Sequence, residues 1–239
     1  MFASVAADGP RPQRGALRVS RHHPPLPSRE HAGLPLVSAA EALLACARDL
    51  GLLDLVVLID AALHCGDCSA SDLTAVAAPR RKAGPLLRRA LTFADARSES
   101  AWETLLRMLH VACGVAVEPQ HEVRDDVGGF VARADLLLLA TRTLHEYDGG
   151  DHLARRQQRH DLARLRRLGD AGWGRRGYTS FEVLHQANGI LRDADRAVGR
   201  PHRPARISRW YELLSTSLFT PLGTQRLRRR LRLTTPRSP

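Results

Sequence analysis

The chain has 239 residues, of which 44% are hydrophobic, enough for one large domain or two modest ones. Its formal net charge is +11, carried almost entirely by arginine because Lys82 is the only lysine, and this excess suits either a polyanionic partner or a merely soluble basic surface. Four scattered cysteines exclude a disulfide framework, and the lack of a long apolar run or an apolar leader excludes a membrane span and a signal peptide, so we expect a cytoplasmic protein.

The first half of the chain is predicted to be mainly helical. Residues 1–36 are rich in proline, arginine and histidine and contain a single strand-like run, Ala16–Ser20. From Ser38 onward apolar residues recur at helical spacing, and Ser38 followed by Glu41 indicates a helix start. The predicted helices cover 39–49, 53–63, a short stretch after the cap at 69–71, 85–95 and 100–112. Cys65-x-x-Cys68 lacks a second pair and is interpreted as a helix-ending turn and not a zinc site.

After Gly114 the apolar period changes from helical spacing to alternation. Predicted strands cover 115–123, 130–139, 144–148 and 173–178, with a basic helix at 153–168, a helix at 181–198 and a last helix at 207–217. The arginine-rich tail at 226–232 is predicted to be a helix end that frays into disorder at 234–239. The element order from the helix at 100–112 onward is α-β-β-β-α-β-α, which gives a sheet covered by helices.

This order predicts an α/β protein. We expect a sheet of three to four strands flanked by helices, preceded by a small helical domain. The predicted boundaries are 1–36 for a proline- and arginine-rich segment, 37–97 for the helical linker domain, 98–200 for the domain that contains the sheet, and 201–239 for a C-terminal helix and basic tail.

Acidic residues cluster on two consecutive predicted strands. A hairpin that turns around residues 140 and 141 sets Asp135 opposite Glu146 and Arg133 opposite Asp148, and strand alternation places all four on one face. Two acids held together repel, so the fold needs a cation between them, either a metal ion or Arg133. The alternative without a metal is that these are solvated acids that form salt bridges with the many arginines.

Carboxylates on an open surface are typical ligands of Mg²⁺ or another divalent cation in phosphodiester hydrolysis. Glu103 is a natural further ligand because its helix is expected to pack beside the sheet. His152 follows the acidic strand in a glycine-rich loop and is a candidate general base or leaving-group stabiliser. The predicted metal ligands are therefore Glu103, Asp135, Glu146 and Asp148.

A very basic helix follows the acidic cluster, with eight arginines against three aspartates between residues 151 and 176. Guanidinium groups beside a metal site are expected to hold the phosphates on either side of a scissile bond. The residues expected to contact DNA are Gln120, Arg133, Arg155, Arg156, Arg159 and Arg164. Aromatic residues are few, so stacking on single-stranded bases is not indicated.

From about Ser100 to Thr179 the chain resembles the Vsr-like, restriction-endonuclease-like domains of unknown function found in actinobacterial proteins. The resemblance rests on Ser100-x-x-Glu103, Gln120, Ala132-Arg133-x-Asp135, Glu146-x-Asp148-Gly149-x-x-His152, Asp161 with Arg164, and Gly172-Trp173. It covers about a third of the chain and implies that the domain predicted over 98–200 is endonuclease-like, with a restriction-endonuclease-like sheet of three to four strands.

The resemblance implies metal-binding roles for Glu103, Asp135 and Glu146, a catalytic role for His152, and support from Gln120 and Asp148. The broader superfamily has lysine where this chain has Asp148, whereas the Vsr-like branch is similar to this chain in using histidine. Residues 15–95 also look like the region that, in longer relatives, follows an AbiE-type antitoxin winged helix. We expect that winged helix to be missing here and the chain to begin at an internal start.

Three functions follow as hypotheses. The first is a Mg²⁺-dependent DNA endonuclease. The second is a catalytically inactive DNA-binding or antitoxin-like module, and the third is an interaction protein whose basic tail contacts an acidic partner. The oligomeric state does not follow from the sequence.

Overall fold

In the computed structural model, which describes residues 2–9, 18–22, 26, 28–79, 81–149 and 155–231, the N-terminal segment forms two small strand pairs. Strand β1 (Phe2–Ala6) runs parallel to β2 (Arg18–His22), and β3 (Ser28–His31) forms an antiparallel hairpin with β4 (Leu34–Val37). Ala32 and Gly33 both have positive φ, as a tight hairpin loop requires. The prediction of a single strand in this segment is therefore wrong, because β2 pairs with β1 and a second pair of strands follows.

Four helices follow, α1 (Ala39–Cys46), α2 (Leu52–His64), α3 (Ala70–Val76) and α4 (Gly84–Leu91). The predicted starts are confirmed where a side chain caps the helix. The Ser38 hydroxyl accepts from the N–H of Glu41 at 3.2 Å, and Ser69 exchanges bonds with Asp72 in a capping box. Helix α2 ends in the predicted turn, where Gly66 has a φ of +71°.

The sheet region begins with α5 (Ala101–Ala112) and continues through β5 (Val117–Arg124), β6 (Phe130–Leu138), β7 (Thr143–Tyr147), α6 (Arg155–Asp170) and β8 (Gly174–Tyr178). The strands lie in the order β5-β6-β7-β8, with the first two pairings antiparallel and the last parallel. Parallel pairing of β7 and β8 needs a crossover, which α6 supplies. The structure thus confirms an α/β protein with a mixed four-stranded sheet flanked by helices.

The C-terminal part consists of α7 (Ser180–His185), α8 (Ala187–Ala197), a 3₁₀ turn at Pro204–Ile207, α9 (Ser208–Leu214) and α10 (Pro221–Leu231). The single helix predicted over 181–198 is wrong, because the backbone leaves helical geometry at Gln186. The arginine-rich tail, predicted to be a helix end, is helical to Leu231, and the fraying predicted at 234–239 lies outside the described residues. Helix α10 packs so tightly against the end of α9 that a Cβ at Gly223 would overlap the backbone of Ser217.

The sheet separates two hydrophobic clusters. The larger one joins α1 to α5 with α7 to α9 on one face of the sheet and includes Leu53, Leu87, Leu106 and Leu136. The smaller one lies under α6 on the other face. The helices of 37–97 therefore share a core with the sheet region, and the predicted domain boundaries stay a prediction. In the described part of the chain no helix has the length and apolar content needed to cross a bilayer.

Candidate functional site

The β6–β7 hairpin has the register that the sequence predicts. Leu136 pairs with His145 and Leu137 pairs with Leu144, so the next position sets Asp135 opposite Glu146. The turn is tight because Ala140 adopts a positive φ of +62°.

Asp135 and Glu146 lie on the same face of the sheet. Leu137 and Leu144 pack with Leu168 of α6 in the smaller core. Since side chains alternate along a strand, Asp135, two residues before Leu137, and Glu146, two residues after Leu144, also point to the α6 side. The two acids therefore share the face that α6 covers.

Glu146 is almost fully buried, at 4% exposure, and two arginines neutralise it. Arg164 of α6 donates to Oε1 at 2.6 Å and to Oε2 at 3.0 Å, and Arg175 of β8 donates through Nε to Oε2. Arg164 also donates to the backbone carbonyl of Arg133 at 2.7 Å, which fixes its position over β6. Both oxygens of Glu146 thus accept from guanidinium groups.

Asp148 points toward β8 and not across to β6. Its carboxylate accepts from Nη2 of Arg175, so this one arginine bridges Asp148 and Glu146. The room for Asp148 exists because Gly177 has no side chain, since a Cβ there would overlap the Asp148 carboxylate. The predicted facing of Arg133 and Asp148 is wrong at the level of side chains, because Arg133 instead pairs with Glu99 at 2.7 Å.

Among the described residues, no arginine donates a hydrogen bond to Asp135. Its Oδ2 accepts from the N–H of Tyr147 at 2.8 Å, and its Oδ1 accepts no hydrogen bond from the described residues. Burial raises the pKa of Asp135 to about 7, and the nearby Glu103 and Glu146 carboxylates add to the rise against the opposing effects of the Tyr147 N–H and Arg164. A cation beside this group would remove the repulsion.

Glu103 approaches Asp135 from the first turn of α5, where Ser100 caps the helix as predicted. Its Oε2 accepts from the N–H of Glu99 at 2.9 Å and from the side-chain amide of Gln120 at 2.8 Å. Gln120 has a φ of +54°, a left-handed conformation that is rare in a strand residue. The β5–β6 register places Gln120 opposite Asp135, so Gln120, Asp135 and Glu146 form one row across three strands.

The remaining predicted site residues are not all described. His152 lies outside the described residues. Arg155, Arg156 and Arg159 lie in the first turns of α6, and their side chains fall outside the described part as well. Of the arginines expected to contact DNA, Arg133 and Arg164 are engaged with Glu99 and Glu146.

The four predicted metal ligands are not gathered into a cage. Within the described ranges no three His, Cys, Asp or Glu side chains are arranged to hold a metal ion. The residues still offer a smaller donor set, because Oε1 of Glu103 and Oδ1 of Asp135 accept no hydrogen bond there. Mg²⁺ uses one or two carboxylates and keeps several waters, so Glu103 and Asp135 fit it.

Arg175, which contacts both Glu146 and Asp148, was not among the predicted site residues. One signal for it was available, because Arg175 lies on the predicted strand 173–178, and a strand joined by a helix to the acidic strand commonly pairs with it in parallel. A buried polar chain on the other face of the sheet was not predicted either. His110 Nε2 lies 2.9 Å from His145 Nδ1, and the Tyr178 hydroxyl lies 3.3 Å from both His145 Nε2 and Asp193 Oδ2.

The hydrogen positions in this chain follow from its first acceptor. His110 Nδ1 lies 2.7 Å from the carbonyl of Leu106 and must donate to it. Nε2 of neutral His110 therefore accepts from Nδ1 of His145, which leaves Nε2 of His145 without a proton. The Tyr178 hydroxyl lies 3.3 Å from this nitrogen and from Asp193 Oδ2, and its one proton can be donated to only one of these acceptors at a time. Burial lowers the pKa of His110 to about 4, and burial with the charges of His110 and Arg176 lowers that of His145 to about 2. Both imidazoles are neutral near pH 7.

Comparison of this chain with protein-family models, curated proteins and solved structures gives no match.

Proposed function

We propose that this chain is a metal-dependent DNA endonuclease with a restriction-endonuclease-like core. The observation that carries the proposal is the environment of Asp135, a half-buried carboxyl that lies near Glu103 and Glu146 and has no bonded arginine among the described residues. Like charges held together in a folded protein are typical of sites that take up a cation. The α-β-β-β-α-β order of α5 to β8 agrees with the core that the resemblance implies.

Glu103 and Asp135 would hold the metal, and Gln120 would orient Glu103 through its bond to Oε2. A bound divalent ion would polarise a phosphoryl oxygen and lower the pKa of an attacking water. Arg164 and Arg175 lie on the same face and carry the planar donor groups that bind phosphate bidentately. The basic α6 would contact the flanking DNA backbone.

Incubation of the protein with supercoiled plasmid and Mg²⁺ tests the proposal. We expect nicked circles with the wild type and with Asp126→Asn, an exposed acid in the β5–β6 turn that serves as a control of the same charge change. Asp135→Asn keeps the shape and the Tyr147 bond but removes the charge, and we expect it to lower the rate at least about a hundredfold, as is typical for loss of a residue that acts in the transition state. Equal nicking by both variants would refute the assignment.

A second function is favoured by the arginine pairs on Glu146 and by Asp148 in place of the superfamily lysine. In this alternative the chain is a catalytically inactive DNA-binding or antitoxin-like module, and arginine has replaced the metal at the acidic row. It predicts salt-sensitive DNA binding that needs no metal and survives Asp135→Asn. Binding measured at two salt concentrations with and without EDTA separates it from the nuclease.

A further inference from the structure

We propose that Arg164 and Arg175 form a gate over Glu146, so that DNA phosphates and the metal ion bind this site cooperatively. This inference rests on the proposed function, since it concerns how the acidic row of a nuclease becomes able to bind its metal. In the protein without DNA the two arginines occupy the Glu146 carboxylate. When phosphates draw an arginine away, Glu146 gains a free oxygen beside Asp135.

The contacts of the gate are specific. Arg164 grips both oxygens of Glu146, and Arg175 bridges Oε2 of Glu146 and the carboxylate of Asp148. Each oxygen of Glu146 is therefore taken by a donor that a metal ion would have to displace. Competition for one carboxylate makes arginine contact and metal contact mutually exclusive there.

Solvent exposure shows which partner can leave. The side chain of Glu146 is 5% exposed, whereas those of Arg164 and Arg175 are 29% and 20% exposed. The carboxylate is fixed inside the protein, and the guanidinium groups reach it from the solvent side. A phosphate approaching that side meets the arginines first.

Electrostatics couples the two events. Loss of the cationic partner of a buried carboxylate strongly destabilises the folded protein. An arginine therefore leaves Glu146 at low cost only when another cation replaces it. Phosphate offers the arginine bidentate bonds as good as those of the carboxylate. Metal and phosphate therefore each stabilise the same rearranged state, and by linkage each raises the affinity for the other by the same factor.

The test measures Mn²⁺ binding to the purified full chain by the paramagnetic resonance signal of free Mn²⁺. Arg164→Gln keeps a hydrogen-bond donor at position 164 and leaves Arg175 bonded to Glu146, so the buried Glu146 carboxylate keeps one cationic partner. We expect this variant to bind Mn²⁺ on the order of tenfold tighter than the wild type. Arg89→Gln, an exposed arginine of α4 without an acidic partner in the described part of the chain, removes the same charge and is expected to match the wild type.

A second measurement adds a DNA duplex with phosphorothioate linkages, which carries the backbone charge and is cleaved slowly. We expect the duplex to tighten Mn²⁺ binding on the order of tenfold for the wild type and Arg89→Gln, and much less for Arg164→Gln, in which only Arg175 still covers Glu146. Arg175→Gln gives the same comparison from the other side of Glu146. Thermal unfolding of each variant identifies any that fails to fold.

The outcomes separate the gate from the nuclease. If Arg164→Gln and Arg175→Gln bind Mn²⁺ as the wild type does, and the wild type nicks plasmid with Mg²⁺, the gate is wrong and the proposed function stands. If neither the wild type nor any variant binds Mn²⁺ and none nicks plasmid, both are wrong. Tighter binding confined to the two gate variants, with loss of the duplex effect, supports the gate.

Discussion

Asp135 is a carboxyl group that the fold places near two other acids, and no guanidinium group of the described residues is bonded to it. Its pKa rises from 3.8 to about 7, so between these pH values the folded protein holds a proton that the unfolded chain releases. The folded state therefore loses stability as the pH rises through this window, and the full cost is present above pH 7. Near neutral pH the folded protein therefore bears much of the cost of ionising Asp135.

We predict that Asp135→Asn stabilises the protein at pH 8 by about 2 kcal/mol, because the amide accepts the Tyr147 N–H without carrying charge. The difference from the wild type should be largely gone near pH 4, where Asp135 is protonated in the folded protein and close to half protonated in the unfolded chain. Urea unfolding at pH 4, 6 and 8 measures it. Asp126→Asn should show no such dependence, and a destabilised Asp135→Asn at pH 8 would contradict the assigned environment.

His110 and His145 give the opposite dependence on pH. The pKa of His110 is lowered to about 4 by burial, so between pH 6.5 and 4 the unfolded chain takes up a proton that the folded protein refuses. The stability that the neutral imidazole contributes is present above pH 6.5 and is lost as the pH falls toward 4.

We predict that His110→Gln loses less stability than the wild type between pH 7 and pH 4, by about 1 to 3 kcal/mol, since one buried titrating group is gone. The readout is the midpoint of urea unfolding followed by circular dichroism. His31→Gln, which alters an exposed histidine in β3, is the control. Parallel curves for His110→Gln and the wild type would show that His110 is not buried as described.

At the scale of elements, the contact between β7 and β8 decides where the acidic strand sends its last carboxylate. Asp148 can lie against β8 only because position 177 is glycine. On the same strand, a Cβ at position 174 would make only ordinary van der Waals contacts, because its nearest neighbours would lie 3.9 and 4.0 Å away. The two glycines therefore differ in what an alanine would meet.

We predict that Gly177→Ala destabilises the protein by about 1 to 3 kcal/mol through overpacking, whereas Gly174→Ala is nearly neutral. Adding Asp148→Ala to Gly177→Ala should recover most of the loss because it removes the overlapping carboxylate. Chemical unfolding of Gly177→Ala, Asp148→Ala and the double variant completes a double-mutant cycle with the wild type. Additive effects in that cycle would mean that the two side chains do not meet.

At the scale of the whole molecule, a buried ion pair joins the helical segment to the sheet region. Asp60 of α2 accepts from Arg107 at 2.6 Å and from Thr104 at 2.8 Å, both on α5, and from the N–H of Asp95 at 2.8 Å. These bonds lie within the larger hydrophobic cluster that both segments share. Neither segment can bury its apolar face without the other.

We predict that residues 39–231 unfold in one cooperative transition. All three tryptophans lie beyond residue 100, so fluorescence follows the sheet region, and hydrogen exchange of the α2 amides follows the helical segment. The two probes should give the same free energy of unfolding. Earlier opening of α2 would show that 37–97 is an independent domain.

Local pattern was sufficient for most of the elements and for one decisive register. Caps such as Ser38, Ser69 and Ser100 satisfy helix N–H groups from within their own segment, and the alternation of 130–138 and 143–147 defines which side chains share a face. These interactions are short in sequence, so they can be read without the fold. The pairing of Asp135 with Glu146 belongs to this class.

The partners of the acids were decided only by the tertiary structure. Arg164 and Arg175 reach Glu146 from 18 and 29 residues away, and Arg133 turns to Glu99 because these ion pairs are made between elements and not within a hairpin. Charge attraction is not directional along the chain, so a sequence this rich in arginine offers each carboxylate many candidates. Packing of α6 and β8 on the sheet selects among them, and in the described part of the chain that selection pairs arginines with Glu146 and none with Asp135.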